Sequence, residues 1–333
     1  MRHLSFLASS SRLLALALLL SLCACAAPKP ASAESFAFDT ILRASVYAAS
    51  GDATPEALAA GALRIADGLE PLLSAHAQGA EIATANEKRE ALLSQESAAL
   101  LREALRLFDE SGGAFDPRLG ALSALWDFKS ASPSLPDPAR IEALLRDARG
   151  SKIELAGKRL TLGGETMQID LGAIAKGYAA DRMRAWLLEN GASCALLELG
   201  GSIVTIGERP GGGPWRIAVA SPFAQGEIAG VLRVEEGFLS TSSGAQRGFT
   251  LEGERYHHIL DPETGWPARS GLASVTVVAP NGVLADALST AFFVLGQERA
   301  LELLRARFPG VEAVFIREDG GTLCTKEGLF EAS

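Results

Sequence analysis

The sequence predicts an α+β architecture with mostly antiparallel sheets and packed helices, on three observations. Helical and strand-like stretches come in mixed order, with helices between runs of strands, rather than in regular βαβ alternation. The 333 residues suffice to bury a large core, as one large or two medium domains. No clear repeat with a period of about 20–50 residues is present.

Taken in order, Thr40–Tyr47 has strand character. Pro55–Leu73 reads as a helix, with proline suited to its first turn and an apolar stripe of Leu58, Leu63, Ile65, Leu69 and Leu72. Ser97–Glu110 is a second amphipathic helix, closed by Ser111-Gly112-Gly113, and Leu119–Phe128 carries Trp126. Ser132–Pro138 is a proline-rich surface loop, Ala139–Ala148 a short helix, and Lys152–Leu162 a hairpin turning on Ala156-Gly157. Gln168–Arg182 starts as a strand, turns on Gly172 and continues as a helix to about Asn190, with Gly191 as its stop. Strands are expected at Ala195–Leu199, Ile203–Ile206, Trp215–Ala220, Gly230–Val234, Gly237–Thr241, Ala273–Ala279 and Ala313–Arg317. Tyr256–Leu260 leads into the turn Asp261-Pro262-Glu263-Thr264-Gly265. Val283–Leu295 and Glu298–Phe308 are expected helices.

The first residues are not part of the fold. Arg2 and Arg12 flank an apolar run, Leu13–Leu22, too short for a stable span and suited to a signal-peptide core. Leu22, three places before Cys25, and the small Ala24 resemble a bacterial lipoprotein cleavage box. We therefore expect a signal peptide over 1–24, a lipidated Cys25 with a tether over 25–35, and one folded domain over 36–333. Lipid on Cys25 would anchor the protein to a membrane without a span, on the extracytoplasmic side and at the periplasmic face of the inner membrane. The alternative is a secreted protein cut at Ala31-Ser32-Ala33.

The charge balance is acidic, 31 Lys+Arg against 40 Asp+Glu, which argues against a nucleic-acid surface. Of four cysteines, Cys194 and Cys324 lie beyond the leader; a disulfide between them is left open, and no Cys/His spacing suggests zinc.

Several stretches can carry chemistry. In Gln168–Arg182, an acid at a strand end, amides at a helix start and a lysine in the first turns can hold a phosphorylated ligand with a cation. The alternative is an ordinary strand–turn–helix connection. Asp286 and Thr290, four apart on a helix, share a face and are hard oxygen donors suited to magnesium; a polar edge on a core helix is the bland alternative. His257 and His258 adjoin a strand end, so at most one of them faces a site. Thr241-Ser242-Ser243-Gly244 reads as a hydroxyl-rich loop, or a plain turn.

In their order and spacing, these blocks resemble the FAD:protein FMN transferases, the ApbE-type flavin transferases. The matching blocks are Gly112-Gly113-Ala114-Phe115-Asp116-Pro117 with Leu125-Trp126-Asp127-Phe128, Asp170–Tyr178, Leu199-Gly200-Gly201, Thr241–Gly244, Tyr256–Gly265 and Ala285–Ala291. The resemblance implies an ApbE-like fold with a T-fold-like duplication. It implies magnesium-dependent transfer of FMN from FAD, the substrate, to a threonine or serine hydroxyl of an acceptor flavoprotein, with release of AMP. It further implies that the Ala173 carbonyl, Asp286 and Thr290 hold magnesium. Phe38, His76, Ala114, Phe115, Asp116, Asp170, Lys176 and Ile259 then contact the flavin nucleotide, and His258 deprotonates the acceptor hydroxyl. Two positions depart from the family: Phe38-Asp39-Thr40 stands where it usually has Met-Gly-Thr, and Ser74-Ala75-His76 where it often has Ser-Thr-Tyr. Hydrolysis of FAD to FMN and AMP, or FAD binding without turnover, are the alternative functions.

Overall fold

The computed structural model describes residues 29–333. Strands β1 (Ala31–Ala37) and β2 (Thr40–Ala49) are followed by helices α1 (Pro55–Leu73) and α2 (Glu81–Lys88). The short β3 (Glu90–Leu92) precedes α3 (Gln95–Glu110), α4 (Gly120–Trp126) and α5 (Pro138–Gly150). The hairpin of β4 (Ile153–Ala156) and β5 (Arg159–Leu162) leads to α6 (Gly172–Glu189). Next come β6 (Ala192–Leu199), β7 (Ser202–Ile206), β8 (Trp215–Ala220), β9 (Ile228–Val234) and β10 (Gly237–Ser243). β11 (Gly248–Leu251), β12 (Glu254–His257) and β13 (Leu272–Ala279) precede α7 (Gly282–Leu295) and α8 (Gln297–Arg307). β14 (Glu312–Arg317), β15 (Thr322–Cys324) and β16 (Phe330–Ala332) end the chain.

Eight strands form one sheet in the order β1-β2-β6-β7-β10-β13-β14-β15, with every neighbour antiparallel. One face packs on α1, α6 and α7 through a core that includes Leu42, Ile174, Met183, Leu197, Val277 and Phe292. The opposite face is partly covered by a second sheet, β16-β9-β8, through Trp215, Ile217, Leu232, Leu239 and Val314. A third cluster lies apart: Trp126 stacks on Phe128 and Tyr256 and meets Trp266 edge-on, beside Ile141 and Leu144 of α5. The α+β, antiparallel expectation agrees with this architecture.

The helix starts follow local chemistry. Thr54 accepts the Ala57 amide at the head of α1, and Ser94 accepts the Ser97 amide at the head of α3. Asn281 accepts the Leu284 amide of α7. The α7 N-terminus is also tied to α6, because the Asp181 carboxylate accepts the Gly282 and Val283 amides at 2.6 and 3.1 Å.

Several expectations are corrected. The tether does not reach residue 35: Ala31–Ala37 pairs with β2 from Ala31↔Val46 to Ala37↔Thr40, which gives its backbone polar groups ladder partners. The alternative cleavage point Ala31-Ser32-Ala33 therefore lies inside a strand. The expected strand before Gly172 is a single parallel bridge, Leu119↔Gln168. Thr241-Ser242-Ser243 is the end of β10, paired with β13, and not a loop. Helix α2 and strands β1, β3, β11, β15 and β16 lacked a readable period. Cys194 and Cys324 are free; on β6 and β15 they stand five strand spacings apart, about 24 Å, far beyond disulfide reach. The signal-peptide and Cys25 expectations lie outside the described residues. Among the described residues no helix is long and apolar enough to cross a membrane.

Helices α6 and α7 cross at Gly177 and Gly282. A Cβ at Gly177 would overlap the Gly282 carbonyl oxygen and lie 2.9 Å from Asp286 Cβ, and one at Gly282 would overlap the Gly177 carbonyl. Gly177→Ala should therefore destabilise the protein by about 1–3 kcal/mol, read as a lower urea midpoint. Gly68→Ala, on an open face of α1, is the control and should be neutral or stabilising.

Candidate functional site

The α6–α7 crossing carries a buried carboxylate. Asp286 is 4% exposed. Its Oδ2 accepts the Gly177 amide at 3.0 Å and lies 3.4 Å from Lys176 Nζ. Its Oδ1 accepts the hydroxyls of Ser240 at 2.8 Å and Ser202 at 3.4 Å. Thr290, one turn on, has its hydroxyl 3.3 Å from Ser242 Oγ and 3.4 Å from the Asp286 carbonyl. Ala173 is in the first turn of α6, and in a regular helix its carbonyl would accept the Gly177 amide. Here that amide is engaged by Asp286. Lys176, Asp286 and Thr290 are thus brought to one place, with Ala173 one helical turn before Gly177 on α6.

One buried carboxylate, two or more hydroxyls and a backbone carbonyl form an all-oxygen donor set, which suits a hard cation such as magnesium completed by substrate phosphates. Among the described residues no three His, Cys, Asp or Glu side chains cluster to hold a metal by themselves. The residues present fit a metal shared with a phosphorylated ligand.

The second part of the site is the turn before α6. Asp170 Oδ1 accepts the Gly172 amide at 2.8 Å, and Oδ2 lies 3.6 Å from His76 Nε2. Burial pushes the Asp170 carboxyl up, but His76, the Gly172 amide and the Ser123 hydroxyl outweigh it, so the pKa falls below the usual carboxylate range. The pairing with Asp170 raises the His76 pKa. The Asp170 amide donates to the Pro117 carbonyl at 2.8 Å, which brings the Ala114-Phe115-Asp116 stretch alongside. Gly120 permits that approach, since a Cβ there would lie 2.9 Å from the Gln168 carbonyl oxygen. Ala114 and Phe115 are buried. The Asp116 carboxylate is already filled by Arg118, whose amide, Nε and terminal nitrogen donate to it at 2.9, 2.8 and 2.7 Å. What Asp116 offers a ligand is therefore backbone.

Phe38 sits at the β1–β2 turn, where Phe38 and Asp39 both have positive φ, 52° and 60°, as a two-residue type I′ hairpin requires. The Phe38 amide donates to Glu70 of α1 at 2.8 Å. Asp39 pairs with Lys129 at 2.6 Å, and its carbonyl accepts from Arg247 at 3.3 Å, which links the hairpin tip to the His258 segment.

His258 follows β12, where the Trp126 cluster holds the β11–β12 hairpin. Its amide and Nδ1 both face the Arg247 carbonyl, at 3.2 and 3.3 Å. That contact assigns the proton to Nδ1 and leaves Nε2 as the free lone pair. Burial, with the charge of Arg247 and Lys176, pushes its pKa down to about 4. His257 turns the other way: its Nε2 meets the Ala268 carbonyl at 3.0 Å and its ring stands edge-on to Phe293. A cavity of about 470 Å³ opens on that side, lined by His257, Phe293, Leu272, Arg255 and Arg269; neither Asp286 nor Thr290 lines it. Ile259 is buried in the main core, and its carbonyl accepts the Ala268 amide.

Sequence reasoning missed Ser240, Ser202, Arg118, Arg247 and Asn86. A signal existed for Ser240: strand alternation puts residues 240 and 242 on one face, but reading 241–244 as a loop concealed it.

Residues 38–315 match the model of the ApbE family. Over 307 residues the chain is 34% identical to the FAD:protein FMN transferase of Treponema pallidum, covering 86% of this chain and 84% of that protein. An ApbE protein of Thermotoga maritima has a crystal structure that superposes with a TM-score of 0.80 at 30% identity, covering 89% of this chain and 96% of that one. The apo flavinyl transferase ApbE of Pseudomonas stutzeri gives 0.76 at 28% identity, covering 89% and 94%. These define a flavin-transferase class of fold, and this chain belongs to the ApbE family.

The His258 arrangement makes a pH prediction. Its native pKa lies below the unfolded value near 6.5, so between about pH 4 and 6.5 the unfolded chain binds a proton that the native state does not. Stability from this group is full above pH 6.5 and is lost as pH falls toward 4. The urea midpoint of the wild type should drop over that window by more than that of His258→Gln.

Proposed function

We propose that this protein transfers FMN from FAD to a threonine or serine hydroxyl of an acceptor flavoprotein and releases AMP. The observation that carries the reading is the meeting of Lys176, Asp286 and Thr290 where α6 crosses α7, beside the Asp170 turn. Family membership and relatives that are FAD:protein FMN transferases support it. Asp286, Thr290 and the Ala173 carbonyl would hold magnesium, which when bound supplies Lewis-acid charge at the diphosphate.

The chain's own groups account for the rest. Lys176 offers positive charge to the diphosphate oxygens as charge builds on them. His258, neutral at physiological pH with Nε2 free, takes the acceptor hydroxyl proton. The hydroxyl oxygen forms a bond to the FMN-side phosphorus, and the bond to the AMP-side bridging oxygen breaks. AMP departs with that oxygen. The step is a single displacement, governed by alignment rather than by a covalent enzyme intermediate. Phe38, His76, Asp170 and the Ala114–Asp116 backbone form the surroundings of the nucleotide.

A lipidated Cys25 would hold this domain at the membrane through residues 25–30, with the fold starting at Ala31. Mass analysis of the membrane-extracted protein should find a diacylated N-terminus at Cys25; an unmodified start would remove the anchor.

To test the reaction, the chain beginning after Cys25 is incubated with FAD, magnesium and an acceptor domain. The acceptor should gain the mass of one FMN phosphoester, with equimolar AMP. Asp286→Ala should abolish the gain. His258→Gln should slow it by about 10²–10⁴-fold with FAD binding retained. Equal FAD consumption with and without acceptor would indicate hydrolysis instead.

A further inference from the structure

The loop from Gly163 to Asp170 has almost no ladder partners, yet it presents Asp170. Three side chains hold its backbone. Arg89 donates to the carbonyls of Gly163, Gly164 and Met167. Asp147 accepts the amides of Glu165, Thr166 and Met167 at 3.2, 2.7 and 2.8 Å. Asn86 meets both backbone polar groups of Ile169: its Oδ1 accepts the Ile169 amide at 2.7 Å, and its Nδ2 donates to the Ile169 carbonyl at 2.8 Å. Asn86 is 6% exposed and sits on α2, whose Ala83 amide also donates to the Ser74 carbonyl, two residues before His76.

We propose that Asn86 is a positioning residue for Asp170: its carboxamide stands in for a missing neighbouring strand and sets where the Asp170 carboxylate meets His76 and the nucleotide. A carboxamide carries its acceptor oxygen and its donor nitrogen on one carbon, as a peptide group does, so it can accept from an N–H and donate to a C=O of the same residue at once. With both polar groups of Ile169 held by Asn86 and the Asp170 amide fixed to Pro117, the carboxylate has little freedom left. Without Asn86, two buried backbone groups lose their partners, and the loop must move to reach others. The nucleotide part of this inference rests on the reading of Asp170 as a flavin-nucleotide contact; the His76 part does not.

The test uses that separation. His76 is faced by Asp170, Asp39 and Lys129, and its pairing with Asp170 raises its pKa. Only four histidines occur in the chain, so NMR can follow the His76 titration without ligand. In Asn86→Ala the His76 pKa should fall toward that of Asp170→Asn, and the double variant should fall no further. FAD affinity should weaken by about 10–100-fold in Asn86→Ala, again without addition in the double variant. Asn86→Asp, which can accept from Ile169 but not donate while ionised, should give an intermediate shift, and it serves if the alanine variant does not fold. An unchanged His76 titration in these variants overturns the positioning role. A shifted titration with unchanged FAD affinity upholds it and refutes the nucleotide role of Asp170.

Discussion

A carboxylate buried where two helices cross is the constraint on which the rest of this structure depends. Removing Asp286 from water costs several kcal/mol unless donors replace the water. Here they come from three different elements: the Gly177 amide and Lys176 on α6, Ser240 on β10 and Ser202 on β7. Each donor needs the others' elements in register. The crossing must be close for the Gly177 amide to reach, so neither Gly177 nor Gly282 has room for a side chain. The sheet order must place β7 beside β10, so that Ser202 and Ser240 face each other. Binding chemistry and helix packing are therefore one requirement.

The parts of the site farther from that crossing are held differently. The Asp170 loop and the β1–β2 tip lie where the sheet offers no neighbour, and side chains replace the ladder. Glu70 receives the Phe38 amide, Asp147 receives three amides and Asn86 receives one while donating to a carbonyl. Such bonds fix position without adding area to the core. They also explain why helices α1 and α2, remote in sequence from α6, belong to the functional unit.

The two adjacent histidines show how strand geometry divides labour. His257 faces Phe293 and the Ala268 carbonyl, and His258 faces the Arg247 carbonyl. Both have lowered pKa values, burial being the first cause for each. Only His258 keeps Nε2 without a protein partner.

The antiparallel α+β class, helices such as Pro55–Leu73, and the shared helix face of Asp286 and Thr290 were legible in the chain, because period, caps and spacing along a helix are local properties. That Lys176 and Asp286 belong together was implied only by the family resemblance, and the α6–α7 crossing is what joins them. Strand alternation also foretold that the two histidines would part. The edge strand Ala31–Ala37 was not legible, because its partner, not its own composition, makes it a strand. Asp116 looked free until Arg118 closed on it, two residues away and stacked over Phe108. Asn86 carried no signal at all: its importance is a pairing with Ile169, 83 residues on, and only the packed chain brings those two together. Local patterns are written in neighbours along the chain, whereas the satisfaction of a buried polar group is settled by whatever folding places beside it.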